Sequence, residues 1–396
     1  MSSKEALIFD VNAGVPIAEA ARRHGVARSC AYKWIERYRE EGAAGLQERS
    51  RRPEHSPNRM SQELVDELLV LKKKYVSYGP AKLVAMLEER HGEAVMAVST
   101  AGTILARHGR VNKRGARRPS VGRIAHGPYQ ISGAGDTMTA DFKGQFRMGN
   151  RQLCYPLTIA DPFSRFVLSV VAMPSTHLAP AQAAFERVFR EYGVPRQIIT
   201  DNGTPFCSAI SLGGLTHLSR WWIELGITPV RIAPGRPDQN GIHERMHRTF
   251  KEWIVRHPRE DLRGQQRSFT QFRAEFNDVR PHQALGQKPP VSAFRPYRPF
   301  PKRTAIDYDS HLAVRKVNAN GEIKWNGQSI FLSEVLIGAQ VGLLQVDPHL
   351  WSISFGHVAL GFLDTLTSRA MNRRPPVLNQ VEVVPTSLLS GPTPPP

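Results

Sequence analysis

The feature that most constrains this chain is a change of hydrophobic periodicity at Asp136. Before it, apolar residues recur at helical spacing in short stretches broken by Gly and Pro. After it, period-two runs alternate with amphipathic helical runs, and beyond the Pro-rich stretch 289–301 only short strands separated by Gly turns remain. One folding layer cannot accommodate three such patterns. The sequence therefore predicts all-α modules, then an α/β domain, then a small all-β domain. Its 396 residues suit two to four domains at roughly 100–200 residues each.

The first module, residues 1–48, reads as helix, turn, helix. Lys4–Asn12 is a short helix, Val15–Arg23 a second, His24-Gly25-Val26 a tight turn, and Arg28–Glu40 a third. A Gly-containing turn before a helix with polar and basic residues at its start fits a helix-turn-helix. Arg28, Ser29, Tyr32, Lys33 and Arg37 would then face the major groove, and a basic linker (49–60) with Arg49, Arg51 and Arg52 follows. Residues 61–110 predict a second helix-turn-helix or winged unit. Leu64, Leu68 and Leu71 form its first stripe, Tyr78-Gly79-Pro80 a break, and Ser99-Thr100 a cap for a last helix over 101–108. Thr100, Thr103 and Arg107 are its candidate groove residues. An ordinary helical hairpin would share these patterns, so the weight falls on charge.

Lys plus Arg number 53 against 35 Asp plus Glu, a net charge of +18. Residues 1–135 hold +9 of it, 136–300 hold +8 and 301–396 only +1. Between Ala94 and Gly135 there are seven basic residues and no acid; Lys113, Arg114, Arg117 and Arg118 lie in the second linker, 111–135. Such runs gain affinity for a polyanion by releasing the counterions of each phosphate they neutralise. They are not beside large apolar side chains on an amphipathic helix, which disfavours a membrane surface. No apolar run approaches the ~20 residues of a membrane span. The start MSSKEALIFDVNAG lacks the pattern of a secretory leader. Cys30, Cys154 and Cys207 are too scattered for a zinc set or a disulfide framework. The expectation is a cytoplasmic, nucleoid-associated, DNA-binding protein.

Within 136–298, the predicted strands are 137–146, 153–160, 166–171, 197–200 and 228–232, and the predicted helices 178–192, 215–225, 239–256 and 269–279. Three carboxylates stand out by position. Asp141 lies in the first strand (TADFKGQF), Asp201 ends the fourth (IITDNGTPF), and Glu244 sits in the first turns of a long helix (GIHERMHRTFKEW). Side chains converge where strands end and helices begin in open α/β sheets. Three gathered carboxylates repel unless cations join them, and oxygen-only ligation selects Mg²⁺ or Mn²⁺. Two such ions ~3.5–4 Å apart serve an in-line phosphoryl displacement. Asp136 and Asp161 compete with Asp141, but the first falls at the strand entrance and the second is placed to organise a turn. Trp221 and Trp222 read as core.

The ordered set DFKGQF, ITDNGTPF, PGRPDQNGIHERMHRTFKEW and RPHQALGQKPP resembles the catalytic core of bacterial insertion-sequence transposases of the retroviral-integrase-like DDE group. The resemblance implies an RNase H-like fold over 136–298 and a catalytic, metal-binding triad of Asp141, Asp201 and Glu244 holding two Mg²⁺ or Mn²⁺ ions. It implies double-stranded DNA as partner, both terminal inverted repeats and target, and a homo-oligomeric synaptic complex. Following the family's arrangement, His247, Arg248 and Lys251 would lie on the face of the Glu244 helix and bind terminal DNA. Asp201 and Glu244 are 43 positions apart, longer than usual for the group, and CSAISLGGLTHLSRWW reads as an inserted loop. Residues 307–365 predict a small β-barrel and 366–396 a disordered Pro-rich tail. A non-catalytic DNA-binding regulator derived from a transposase, or a plain nuclease of RNase H type, would keep parts of this pattern.

Overall fold

The computed structural model describes residues 2–48, 60–111, 131, 133–233, 241–256, 259–301 and 306–372. Arg49, Arg51, Arg52, Lys113, Arg114, Arg117 and Arg118 lie outside the described residues, as does the stretch 373–396. The chain divides into two compact units, Met1–Gln62 and Glu63–Pro396.

The first unit holds α1 (Ser3–Asn12), α2 (Ile17–Arg23) and α3 (Arg28–Glu41). α1 starts at a reciprocal cap in which the Ser2 hydroxyl accepts from Glu5 N–H and Glu5 accepts from Ser2 N–H. Its core is Leu7, Ile8, Ala20, Ala21, Ala31, Ile35 and Leu46. The three alanines let the helices approach closely, while α3 turns its charged residues outward.

The second unit begins with α4 (Gln62–Lys74), α5 (Pro80–His91) and α6 (Val98–Arg107). Pro80 at the first turn of α5 gives up an N–H that would be unpaired there anyway. No strand lies between residues 60 and 111, so these residues form a helical module without a wing. Ser99 and Thr100 stand inside α6 rather than capping it. Ala97 precedes the helix and makes no side-chain cap, and the hydroxyl that bonds back is that of Thr103, donating to Ser99 O.

The α/β domain is a mixed sheet of β1 (Thr137–Phe142), β2 (Phe146–Arg147), β3 (Leu153–Ala160), β4 (Val167–Met173), β5 (Gln197–Thr200) and β6 (Thr228–Arg231). The expected single strand 137–146 is broken at Gly144, whose φ of +74° takes the chain out of the extended region. β2 then resumes pairing along β3, Phe146 opposite Cys154. β4, β3 and β1 are antiparallel neighbours, whereas β1, β5 and β6 run parallel.

α7 (Leu178–Tyr192) and α8 (His217–Glu224) pack Phe185, Phe189 and Trp222 into the core beneath Met138, Leu157 and Ile198. Each such side chain contributes roughly 2–3 kcal/mol on burial. A separate cluster joins α9 (Gly241–Arg256) and α10 (Leu262–Ala274) to β3 and β4 through Phe250, Phe269, Phe272 and Val170. α10 starts earlier than its apolar spacing suggests, because the Asp261 carboxylate accepts from Gly264 N–H at 2.6 Å and caps it. The open edge of β4 is closed by side chains. Asn277 accepts from Val167 N–H and donates to Val167 O, Gln266 does the same for Ala172 N–H and Val170 O, and Arg273 donates to Leu168 O. Such an edge has no free ladder to offer another strand.

The C-terminal residues do not form the expected barrel ladder. β7 (Ala313–Lys316), β10 (Gln340–Asp347), β11 (Leu350–Phe355), β12 (Val358–Asp364) and β13 (Arg369–Met371) make an open antiparallel sheet, ordered β13-β12-β11-β10-β7. β8 (Glu322–Trp325) and β9 (Gln328–Phe331) form a separate hairpin. The hairpin closes over the sheet through a shared core of Ile323, Trp325, Ile330, Val341, Leu343 and Ile353. β13 pairs with β12, so residues 369–371 of the expected tail are part of the sheet.

The segment expected to be an inserted loop packs against the C-terminal sheets. Ser211 and Ser333 share a hydroxyl contact at 2.8 Å, Gly213 N–H donates to Asn372, and Arg220 donates to Val335 O and Ile337 O. Leu212, Leu215 and Ile223 belong to the core of the C-terminal sheets. Gly213 has a φ of +64°, and a Cβ there would stand 2.9 Å from Leu360 Cα, so glycine meets both demands.

Candidate active site

Parallel pairing between β1 and β5 aligns Thr139 with Ile199. Two residues further along both strands lie Asp141 and Asp201, on the same face by the alternation of the pleat. Asp201 has just left β5, and its carboxylate accepts from Gly203 N–H at 3.1 Å. Asn202 donates to Ile232 O, pinning the turn to the end of β6. On the other side of β1, Thr158 of β3 lies opposite Asp141. α9 crosses this face and brings His243, Glu244 and His247 to it.

A hydrogen-bonded chain ties these elements together. Thr139 Oγ1 lies 2.8 Å from His243 Nδ1; Thr158 Oγ1 lies 2.7 Å from both His243 Nε2 and His247 Nε2 and 2.9 Å from Asp141 O. A hydroxyl has one proton and two lone pairs. All three contacts of Thr158 are satisfied when it donates to Asp141 O and accepts from both imidazole Nε2–H groups. Thr139 Oγ1 also donates to Ala160 O at 3.3 Å, so its single proton is shared between that carbonyl and His243 Nδ1. The bare Nδ1 of His247 stands 3.5 Å from Asp141 Oδ2.

Two acceptors facing each other need a proton between them, and the electrostatics supply it on Asp141. Burial first, then the charge of Asp201, push the Asp141 carboxyl up to about 7; Lys143 and the Phe142 N–H oppose this, and Glu244 adds to it. Burial holds His243 at about 3, and burial together with His243 and Lys143 holds His247 at about 2, so both rings are neutral. Asp201 and Glu244 are thus close enough to Asp141 for their charges to act on it.

Two donor sets share Asp141. Donor atoms of Asp141, His243 and His247 lie within 4.8 Å of one another. Three of the four imidazole nitrogens, however, are already bonded to Thr139 or Thr158. The alternative set is oxygen only, Asp141 with the Asp201 and Glu244 charges that act on it, and hard oxygen donors suit Mg²⁺ or Mn²⁺.

The expected DNA-contacting face of α9 divides. Glu244, Arg248 and Lys251 are exposed, but His247 is only 5% exposed and faces Asp141, so it belongs to the interior network. His243 carried no sequence expectation. Its signal was the i, i+4 spacing with His247, which puts both rings on one side of a helix. In the helical modules Arg28, Ser29, Tyr32 and Lys33 are exposed along α3, with the Arg28 guanidinium over the Tyr32 ring, and Arg37 is half-buried. Thr103 and Arg107 are exposed on α6 and Thr100 is half-buried. Asp161 accepts from the N–H groups of Phe163 and Ser164, and Asp136 pairs with Arg196 at 2.8 Å.

Comparison with known proteins matches residues 132–237 and 225–290 to integrase core domain families, residues 3–54 to a helix-turn-helix domain and residues 30–105 to a homeodomain-like domain. The insertion element IS476 uncharacterized 39.2 kDa protein of Xanthomonas euvesicatoria is 26% identical over 178 residues, 45% of this chain and 49% of that protein. The insertion element IS407 uncharacterized 31.7 kDa protein of Burkholderia multivorans is 28% identical over 143 residues, 36% and 48% of the two chains. The Gag-Pol polyprotein of woolly monkey sarcoma virus is 32% identical over 110 residues, 28% of this chain and 6% of the polyprotein. The chain spans about half the length of the insertion-element relatives it matches. Among solved structures, the HTLV-2 integrase catalytic core domain in complex with magnesium aligns with 41% of this chain and 99% of its own at 16% identity and a TM-score of 0.33. Among the described residues no helix is long and apolar enough to cross a membrane. The chain thus carries integrase core domain matches behind helix-turn-helix domain matches, and insertion-element proteins are among the proteins it is similar to.

Proposed function

We propose that this chain is the DNA transposase of an insertion sequence, a metal-dependent polynucleotidyl transferase with Asp141, Asp201 and Glu244 as its catalytic triad. The observation that carries the reading is the position of Asp141 and Asp201, each two residues beyond the paired Thr139 and Ile199 of parallel strands, with α9 tied to β1 and β3 through His243 and His247. Burial first, and then the neighbouring Asp201 and Glu244 charges, disfavour a bare Asp141 carboxylate, and a cation would offset both. Asp141, Asp201 and Glu244 would hold two Mg²⁺ or Mn²⁺ ions, which supply activation of the attacking oxygen and stabilisation of the leaving one.

The chemistry is two in-line displacements at phosphorus. Water first breaks a phosphodiester at the element end, leaving a 3′-OH. That hydroxyl then attacks a target phosphodiester, forming one new ester as another is released, with no covalent protein–DNA intermediate. The chain's own residues prepare the site. His247 and Thr158 fix the Asp141 rotamer, Asn202 anchors the turn that carries Asp201, and Arg248 and Lys251 on the exposed side of α9 bind the backbone of terminal DNA.

α3, with Arg28, Ser29, Tyr32, Lys33 and Arg37, and α6, with Thr100, Thr103 and Arg107, would read the terminal inverted repeats. The basic residues Arg49, Arg51, Arg52, Lys113, Arg114, Arg117 and Arg118 would follow the phosphates between modules. Two ends joined in one event call for a homo-oligomeric synaptic complex. The test is strand transfer by purified protein with Mg²⁺ on labelled DNA from the inverted repeats flanking the coding region. Asp201→Asn and Glu244→Gln should each abolish product while leaving end binding intact, and activity surviving in either would refute the triad. Product formation would also exclude a purely DNA-binding regulator.

A further inference from the structure

Beside Thr139 and His243 lies a cavity of about 420 Å³ lined by several basic side chains. Lys82 comes from α5, Arg165 from the turn between β3 and β4, Arg245 and Arg248 from α9, and Arg280 and His282 from the segment after α10. Among the described residues the only acid on the lining is Asp161, whose Oδ1 accepts from the Phe163 and Ser164 N–H groups.

The groups are held there by structure rather than gathered by chance. Arg165 sits at φ +66°, a left-handed conformation that a non-glycine residue adopts at a cost. Lys82 donates to Pro281 O, and the Arg280 guanidinium stacks 4.8 Å from the centre of the Tyr78 ring, whose hydroxyl bonds Glu275. The helical module and the core therefore share one wall. Burial, and after it the charge of Arg280, pushes Lys82 down to about 7. His282 is pushed down to about 3 by burial and by Lys82, Arg280 and Arg165, and its Nε2 has no hydrogen-bond partner. Thr139 and His243 line this cavity and also belong to the chain that reaches Asp141, so the two sites are one layer of side chains apart.

We propose that this cavity seats a phosphodiester of a DNA backbone, so that the α4–α6 module and the core grip the strand delivered to the Asp141 site. This deepens the transposase reading and rests on it for the identity of the polyanion. An anion is what the cluster lacks, and a phosphate with two free oxygens suits convergent arginine forks.

The test uses the full chain with a fluorescein-labelled 30-base-pair duplex of arbitrary sequence in EDTA, so that no cleavage occurs. Anisotropy titrations from 50 to 200 mM NaCl give the slope of log K against log[NaCl]. In the Arg165→Gln/Arg245→Gln double variant that slope should fall by about 0.9, the release expected for one phosphate contact. An unchanged slope in a variant with wild-type circular dichroism would overturn the proposal. A second measurement needs no variant: phenylglyoxal labelling of the wild-type chain, mapped by mass spectrometry. The duplex should protect Arg165 and Arg245, whereas inorganic phosphate at the same phosphate concentration should not. Protection by inorganic phosphate alone would make the cavity a free-phosphate site and overturn the DNA seat; protection by neither would overturn it too. Failure of strand transfer with this binding intact would count against the triad and not against the seat.

Discussion

Replacing Thr158 by Val tests whether one hydroxyl organises the candidate site. Valine keeps the shape of the side chain and its β-branching, so packing in β3 changes little. The substitution removes the shared partner of His243 Nε2, His247 Nε2 and Asp141 O, at 2.7, 2.7 and 2.9 Å. Thr158 is fully buried and both histidines are at most 5% exposed, so water does not replace the lost oxygen. Each buried N–H left without a partner costs about 1–3 kcal/mol, which for two imidazoles gives roughly 2–6 kcal/mol. In a domain of this size that lowers the melting temperature by roughly 5–20 °C. Differential scanning calorimetry of the metal-free chain reads this directly, with Thr158→Ser as control: serine keeps the hydroxyl and should lose no more than about 1.5 kcal/mol for the missing methyl. A loss below 1 kcal/mol in Thr158→Val, or an equal loss in Thr158→Ser, would show that the hydroxyl does not hold the two rings.

Three further outcomes follow from the same geometry. Asp141→Asn should stabilise the metal-free protein above pH 7 by on the order of 3 kcal/mol and have little effect near pH 4. The folded carboxyl titrates near 7 and the unfolded one near 4, so the wild-type penalty builds across that window as pH rises; the wild-type melting temperature, but not the variant's, should then rise on adding Mg²⁺, and a variant stabilised equally at pH 4 and pH 8 would contradict this origin. His243, His247 and His282 are all held neutral, well below the usual histidine range, so stability present above about pH 6.5 should be lost on acidification. The unfolded chain takes up protons there that the native one refuses, at about 1.4 kcal/mol per pH unit for each ring, checked by melting between pH 7 and 5 in protein carrying Thr158 intact. Gly213→Ala should loosen the C-terminal sheets by about 1–3 kcal/mol, through its positive φ and the contact with Leu360. Limited proteolysis within 306–372 should accelerate while the 137–231 sheet stays protected.

Much of this molecule is legible in its sequence because its strongest elements are locally specified. Leu178–Tyr192 carries a full apolar stripe, and Gln197–Thr200 is a short apolar run ended by Asp-Asn-Gly; both lie where the pattern puts them. Asp141, Asp201 and Glu244 stand out in sequence because strand ends and helix starts are where side chains converge; their joint catalytic role is a proposal. The misses have physical reasons. The start of α10, LRGQQ, has little apolar periodicity and depends on the Asp261 cap and on Gln266 reaching across to β4. Ser99 and Thr100 look like cap residues, yet the chain has already turned helical at Val98. His247 looks solvent-facing on a helix rich in Arg and Lys, but its orientation is decided by Thr158 and Asp141, which are far away in sequence. The C-terminal strands were visible one by one; how their ladders join depends on side-chain packing between hairpin and sheet, which spacing does not encode.

The loop between Asp201 and α8 has a consequence for the C-terminal sheets. Leu212, Gly213 and Leu215 form the seat of the C-terminal sheets, and Gly361 could bear no side chain without striking Leu212. A shorter loop would leave those sheets without a foothold, and loss of the sheets would strand Leu212 and Leu215 in water. The segment around Leu212 and the C-terminal sheets are therefore mutually dependent: neither buries its apolar surface without the other.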